Sequence, residues 1–560
     1  MTGLKQNRWK IVLILLSILG SIKMLFFAVG MDEEYQIVMS YRNVIGDKLF
    51  LNMWEPHQSS AFLCTLLMKP YCLLFGTTGI VLYLRACGTL LHLGISLYLY
   101  RVLKDFVGEK YAWLLALLYY NIIPKQIILP EFGIMQVWAY TLLSLFLMRY
   151  YTHGRKLKSL VLAASALALN VLSYPSCLIL FPFLLPVMAR LSGKDKWKDM
   201  GIFTLVCGIW AAGYLGMLFG YTTPMELLDT LSHILAGDIT HSLSLAGKLL
   251  LFFKKAIYMV LLWGVCRLLA EAAAKRKGLP PVAAHCLTIL PACAVQLFCW
   301  VVLDTGYEYL NLHLTAAAVA GLCSCAKVRD MPDDTKPKAL LLRYSLIGAV
   351  LSLLSVIYLT DITLTESIPH AMPAAVFGAA LLILACRDSR REDCFKWMNL
   401  ALTALMLTAI LGKTYTLRGG DYSNILQSGG IMKNGPAAGT ISNYIRAYIY
   451  NSDYEDWQTY IQDGDKVLVV VDLVQGLDTI QYLFKDVEIS HYSVVNPTAY
   501  DERLLEYWTM YPEKTPNVII VDCWYGDLKA DPDSWIMRYI EEDFGYTQVE
   551  DGSYIRIYRK

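Results

Sequence analysis

Charge is what this sequence has least of. Only 17% of its 560 residues are Asp, Glu, Lys or Arg, against 56% hydrophobic, and the mean hydropathy is +0.44. A soluble domain carries about 25% charge, so composition excludes an ordinary soluble chain. The net charge of +2 gives no reason to expect a nucleic-acid partner. Zinc-site spacing is also missing. No CxxC or His/Cys cluster occurs, and Cys323 and Cys325 are too close together in an apolar context. Most of the cysteines (Cys87, Cys207, Cys266, Cys286, Cys293, Cys299, Cys386) sit in apolar runs as small buried hydrophobes. The C-terminal part holds only Cys523, which excludes a disulfide within it. There is no GxGxxG, no P-loop and no internal repeat.

What is present is a succession of apolar segments. Lys5, Arg8 and Lys10 precede the run Ile11–Gly30, which is longer than a signal-peptide core and reads as a retained anchor. Further runs lie near 80–100, 111–123, 132–148, 157–173, 176–189, 201–219, 247–266, 281–303, 310–326, 339–359, 369–386 and 394–411. Together they predict about thirteen membrane-spanning helices.

Lys and Arg collect in alternate loops, beginning with Arg101/Lys104/Lys110 and Arg149/Arg155/Lys156/Lys158 and ending with Arg387/Arg390/Arg391/Lys396. The loops between them are nearly bare of both. This alternation puts the N-terminus in the cytoplasm and residues 31–79 and the C-terminal tail outside. It also decides how His57–Phe75 is read. Counted as a span, that stretch inverts every later loop, so it is expected as a helix in the outer interface between Pro56 and Gly76.

The organisation that follows is a membrane part over 1–412 with its first outer loop at 31–79, a Gly-rich linker over 413–440, and an extracytoplasmic α/β domain over 441–560. Within the last, Lys466–Asp472 and Asn517–Asp522 read as buried parallel strands. Helical patterns fall near 441–461, 474–485, 499–510 and 533–543, and Tyr546–Val549 and Tyr554–Tyr558 form a hairpin about Asp551-Gly552.

The polar residues gather on the outer side. Asp32 and Glu33 follow the first span, with Arg42, Asp47 and the run Trp54-Glu55-Pro56-His57-Gln58 behind them. Glu131 opens the fourth predicted span, and Tyr307-Glu308-Tyr309 and Asp238/His241 lie in other outer loops. Carboxylates at a membrane rim are costly without a task or a partner.

An Asp-Glu pair just after the first helix, the Gly46-Asp47-Lys48-Leu49-Phe50 step and an interfacial helix ending in Phe75-Gly76 resemble the type C glycosyltransferase (GT-C) fold. The branch resembled is the protein O-mannosyltransferase and aminoarabinose lipid A transferase group. Glu131 stands where that group commonly has Asp, and His57-Gln58-Ser59 replaces its Lys-Pro-Pro.

The resemblance implies a polytopic α-helical enzyme that takes a sugar from a polyprenyl-phosphate carrier and passes it to an envelope acceptor. Asp32 would be the base, with Glu33 and Glu131 as further catalytic acids. Arg42, His57, Gln58, Arg85, Tyr307 and Tyr309 would contact the substrate, the cationic ones offsetting phosphate charge. The acidic trio could bind Mg²⁺ or Mn²⁺ through oxygen, but the branch resembled is not the metal-dependent one and no metal is expected. The sequence leaves two other readings open, a transporter or flippase of lipid-linked glycans and a non-catalytic envelope scaffold.

Overall fold

The computed structural model describes residues 2–237, 244–307, 309–324, 331–359, 364–367, 370, 372–417, 424–471, 479–494, 502–524, 527–528 and 530–560. The membrane part is a helix bundle: α1 (Thr2–Phe26), α2 (Met31–Ile45), α3 (Ala61–Phe75), α4 (Ile80–Val107), α5 (Glu109–Asn121), α6 (Phe132–Thr152), α7 (Leu157–Ser173), α8 (Leu180–Ser192) and α9 (Lys196–Leu218). It continues with α10 (Pro224–Gly237), α11 (Leu245–Arg276), α12 (Pro281–Val301), α13 (Leu312–Ser324), α14 (Lys336–Leu359), α15 (Leu364–Ser367), α16 (Met372–Ser389) and α17 (Glu392–Tyr415).

Every segment expected to span is helical. Among the described residues, 9 helical stretches are long and apolar enough to cross a membrane, with Pro175–Leu218 counted as one 44-residue stretch. The difference from about thirteen is one of length. α8 and α9 follow one another through a single 3₁₀ turn, and α5, α7 and α13 are shorter than the roughly 20 residues that a 30 Å core demands. The chain is a multi-pass membrane protein. α16 lies at its centre, buried continuously from Met372 to Cys386.

The polar segment after α1 is not the loop that its polarity suggests. Residues 31–45 form α2, with the Glu33 carboxylate accepting the Gly30 amide at 3.4 Å and Gly46 closing the helix at φ 116°. Three acids in the first turn suit the positive end of the helix dipole. His57–Phe75 becomes a short 3₁₀ turn followed by α3, only 15 residues long. Leu66, Leu73, Leu74 and Phe75 on α3 are exposed apolar side chains.

The C-terminal domain is α/β, as its short β-branched runs predict. A two-stranded sheet pairs β1 (Gly430–Ile431), inside the expected linker, with β2 (Ile441–Ser442), just beyond it, and leads into α18 (Tyr444–Tyr460). The main sheet contains β3 (Lys466–Val470), β4 (Glu488–Ile489), β5 (Val518–Trp524), β6 (Asp527–Leu528), β7 (Gln548–Asp551) and β8 (Ile555–Arg559), in the order β4-β3-β5-β8-β7 with β6 on β5. β3 runs parallel to β4 and β5, whereas β8 is antiparallel to β5 and β7. Val467, Leu468, Val518 and Ile519 are fully buried. α19 (Glu502–Met510) and the short α20 (Trp535–Arg538) match two of the expected helices. The pattern over 474–485 is a 3₁₀ turn, Thr479–Leu483, in its described part.

This domain is fastened to the segment between α1 and α3 by buried polar contacts. Glu34 on α2 accepts the Thr479 and Ile480 amides and the Thr479 hydroxyl (2.6 Å). Arg42 donates to the carbonyls of His491 (2.9 Å), Tyr492 (3.2 Å) and Asn52 (2.7 Å). It also pairs with Asp47 at 2.7 Å, which Lys514 reaches at 2.7 Å from the other side. Glu55 accepts from Ser493 Oγ (2.8 Å) and Val494 N (2.5 Å). Trp54 stacks on His233 of α10 and packs against Tyr492 and Tyr507. A charge removed from water at this depth is tolerated only when its hydrogen bonds are met.

Candidate active site

At the end of the bundle that carries α2 lies a lysine held between two carboxylates. Lys125 Nζ lies 2.9 Å from Asp32 Oδ2 and 3.0 Å from Glu131 Oε1. The three side chains differ in access. Lys125 is 2% exposed and Asp32 16%, whereas Glu131 is 0% exposed. Glu131 is the N-cap of α6, and its second oxygen accepts the Ile134 amide at 3.0 Å. One carboxylate is therefore sealed and spoken for, while the other reaches the surface of the cleft.

Aromatic rings enclose this cluster. Lys125 Nζ stands 4.0 Å from the centre of the Phe132 ring, a cation–π distance. His57 stacks on Phe132 at 4.4 Å, and Tyr174 meets both edge-on. Tyr174 is fully buried, and its hydroxyl has no hydrogen-bond partner among the described residues. Burial raises its phenol above the ordinary value, with Lys125 pulling the other way and Glu131 and Asp32 raising it again. The hydroxyl stays protonated and is a donor available to a bound group. His370 closes the side. A Cβ at Gly133 would come within 2.6 Å of its ring and 3.0 Å of Glu131, so only glycine fits at the second residue of α6.

The turn that carries Lys125 is strained and heavily braced. Lys125 and Gln126 both adopt left-handed backbone, φ 54° and 53°, at about 1–3 kcal/mol each. The Gln126 amide donates to Gly412 O and Thr416 Oγ1, both at 2.9 Å, and its oxygen accepts from Lys23 Nζ at 2.7 Å. The Tyr307 hydroxyl accepts the Ile123 amide at 3.3 Å. Behind the turn, α4 offers Gly88, where a Cβ would lie 1.8 Å from Ile128 O. Any larger residue there would displace the turn that aims Lys125.

The structure brings Asp32, Glu131 and His57 together and takes the other sequence candidates elsewhere. Glu33 and Arg85 are committed to each other: two contacts of 2.6 Å join them, and Arg85 also donates to the carbonyls of Leu25 and Ala28. The pair fixes the corner between α1 and α2 on which Asp32 sits. The Arg42 donors go to Asp47 and to carbonyls of the C-terminal domain, so this side chain is a fastener of that domain. Gln58 accepts the Phe50 amide at 2.7 Å and orders the chain ahead of α3. Tyr307 stacks on Trp300 and braces the strained turn. Tyr309 is exposed. Asp238, His241 and Glu308 lie outside the described residues. Among the described residues no group of three or more His, Cys, Asp or Glu is arranged to hold a metal ion.

Sequence reasoning missed Lys125, Tyr174 and His370. A signal for the first was present. Lys125 is the one Lys or Arg in the turn Pro124–Glu131, six residues before Glu131.

No protein-family model matches this chain, and no curated protein sequence matches it. Among solved structures the chain is similar to ArnT from Cupriavidus metallidurans in the apo state, with TM-score 0.46, 12% identity and coverage of 99% of this chain and 98% of that one. ArnT bound to undecaprenyl phosphate gives TM-score 0.44, 13% identity and coverage of 99% and 98%. AglB, the oligosaccharyltransferase of Archaeoglobus fulgidus, in complex with an inhibitory peptide and a dolichol-phosphate, gives TM-score 0.46, 13% identity and coverage of 92% and 70%.

Proposed function

We propose that this chain is a GT-C-type membrane glycosyltransferase, moving a sugar from a polyprenyl-phosphate carrier to a lipid, glycan or protein acceptor of the cell envelope on the outer face. The observation that carries the proposal is the Asp32–Lys125–Glu131 cluster, with one carboxylate open and one sealed around a single ammonium. It sits beside a buried, unused Tyr174 hydroxyl.

In this reading Asp32 accepts the proton of the acceptor hydroxyl or amine. The freed electron pair attacks the anomeric carbon, the bond from that carbon to the phosphate oxygen breaks, and its electrons leave on the phosphate. Lys125 offsets the charge that develops there, and Tyr174 is placed to donate to the same group. Glu131 holds Lys125 in position. Glu33 and Arg85 act at one remove, by fixing the helix start that bears Asp32. On this reading the N-terminus is cytoplasmic and the C-terminal domain extracytoplasmic, on the same side as Asp32.

Purified protein in vesicles, supplied with polyprenyl-phosphate sugars and envelope extract, tests the proposal. Asp32→Asn should lower sugar transfer by about 10²–10⁴-fold while the protein still inserts and elutes as the wild type does. Full transfer by that variant removes Asp32 as the base. Vesicles that move the lipid-linked sugar across the bilayer without forming a product turn the assignment to transport.

A further inference from the structure

The opposite end of the bundle holds a second concentration of unspent charge. Arg101, Lys104 and Asp105 lie one turn apart on one face of α4, and Arg149 and His153 lie one turn apart at the end of α6. These side chains, with Val102, line an open cavity of about 320 Å³. Arg101 is about 24 Å further along α4 than Arg85, so the cavity faces away from the Asp32 cluster.

Basic residues near helix ends on one membrane face are ordinary in themselves, because they suit both topology and the helix dipole. What differs here is that three cations face one carboxylate, and that carboxylate is engaged by another group. The Asp105 carboxylate is taken by His153 Nε2 at 3.1 Å. The Asp105 carbonyl accepts from Lys338 at 2.7 Å. Nearby, Arg155 is paired with Asp195 at 2.6 Å. The side chains of Arg101, Lys104 and Arg149 form no ion pair and no hydrogen bond with any described residue. Two guanidinium groups and one ammonium thus converge on one concavity whose lining holds a single carboxylate, Asp105, turned to His153.

We infer that this cavity is a binding site for a phosphate-bearing group, supplied by the headgroup of an anionic phospholipid in the adjacent leaflet or by a soluble phosphate. Planar guanidinium forks suit phosphate oxygens, and basic clefts between helices at a membrane surface collect anionic headgroups. The site is independent of the transfer reaction.

The test uses the full chain in detergent and in nanodiscs. Native mass spectrometry would compare retention of phosphatidylglycerol by the wild type, the triple variant R101Q/K104Q/R149Q, and K194Q/K196Q/K198Q, which removes as much charge from exposed lysines in another basic loop. Pyrophosphate titrated against the wild type in phosphatidylcholine nanodiscs forms the second arm. The expected result is about a tenfold loss of retained phosphatidylglycerol in the cavity variant alone. Pyrophosphate binding that only the cavity variant loses, without lipid selectivity, assigns the site to a soluble phosphate. Equal losses in both triple variants would show a bulk surface-charge effect and overturn the inference, as would binding of neither probe. Circular dichroism and thermal unfolding check that the variants compared are folded.

Discussion

Two buried cations, Arg42 and Lys125, each stand between two carboxylates, and they show how similar charges end in different tasks. Arg42 faces Asp47 and Glu55 at 2.7 and 3.8 Å, and its remaining donors go to carbonyls that only the C-terminal domain and the adjoining turn can offer. Its carboxylates are 5% and 0% exposed. With every donor met and water excluded, this arrangement can only hold parts together. Lys125 has the same charges around it, but one of them, Asp32, remains accessible, and a neighbouring hydroxyl is unused. An arginine suits the first position because its planar fork meets several fixed acceptors at once. A lysine suits the second because its compact ammonium can be shared with an incoming anion.

The contrast can be broken by experiment. The largest effect is expected at the cation of the candidate site. Lys125→Gln should reduce transfer by about 10²–10³-fold, a loss exceeding any fall in folded fraction measured by thermal unfolding. If rate and folded fraction fall together, Lys125 is as structural as Arg42. The reciprocal change, Arg42→Gln, leaves Glu55 without its cation and Asp47 with Lys514 alone, and should cost about 3–5 kcal/mol of stability. It should be read by protease cutting between the membrane part and the C-terminal domain, with transfer falling only as folded protein is lost.

Glu34 offers a finer test, because it shares the first turn of α2 with Asp32 but points its carboxylate at Thr479 and Ile480. Glu34→Ala leaves those donors unmet, at about 1–3 kcal/mol. It should loosen the contact with the C-terminal domain and lower transfer through the position of Asp32, whereas Glu34→Gln, which keeps an acceptor, should restore part of both. Unaltered protease resistance in the alanine variant would count against the fastening role.

The effect that is smallest near neutral pH is a pH dependence. Burial, with Arg42 and Arg503 nearby, lowers the His491 imidazole from 6.5 to about 3, and its Nδ1 accepts the Ser493 amide in the neutral form. Below pH 6.5 the unfolded chain takes up a proton there that the folded chain refuses. Stability should therefore fall as pH drops from about 6.5 towards 3, by at most about 1.4 kcal/mol per pH unit from this group. His491→Gln should flatten that part of the unfolding curve, and an unchanged slope would place the acid sensitivity elsewhere.

Much of the fold was legible because it depends on local patterns. Apolar length marked the helices expected to span, and short β-branched runs marked β3 and β5. The capping signal of α2 was also present as an acidic first turn behind Gly30, yet the polarity of residues 31–45 concealed a helix. Ten of its residues are buried, against partners far along the chain. Asp32, Glu131 and His57 could be picked out by position. The separation of Asp32 from Glu33 could not, since neighbours on a helix face different ways and only the partner decides their roles.

The sequence by itself determined that the chain is a multi-pass membrane protein with an α/β domain after it, because hydropathy and span length are summed over neighbouring residues. Only the tertiary structure decided which charges meet. Glu33 found Arg85, Glu34 found the amides of Thr479 and Ile480, Arg42 found the His491 and Tyr492 carbonyls, and Asp32 was left with Lys125 at the open edge. Ion pairing depends on distances of a few ångströms between residues up to hundreds of positions apart, and no local pattern encodes those distances.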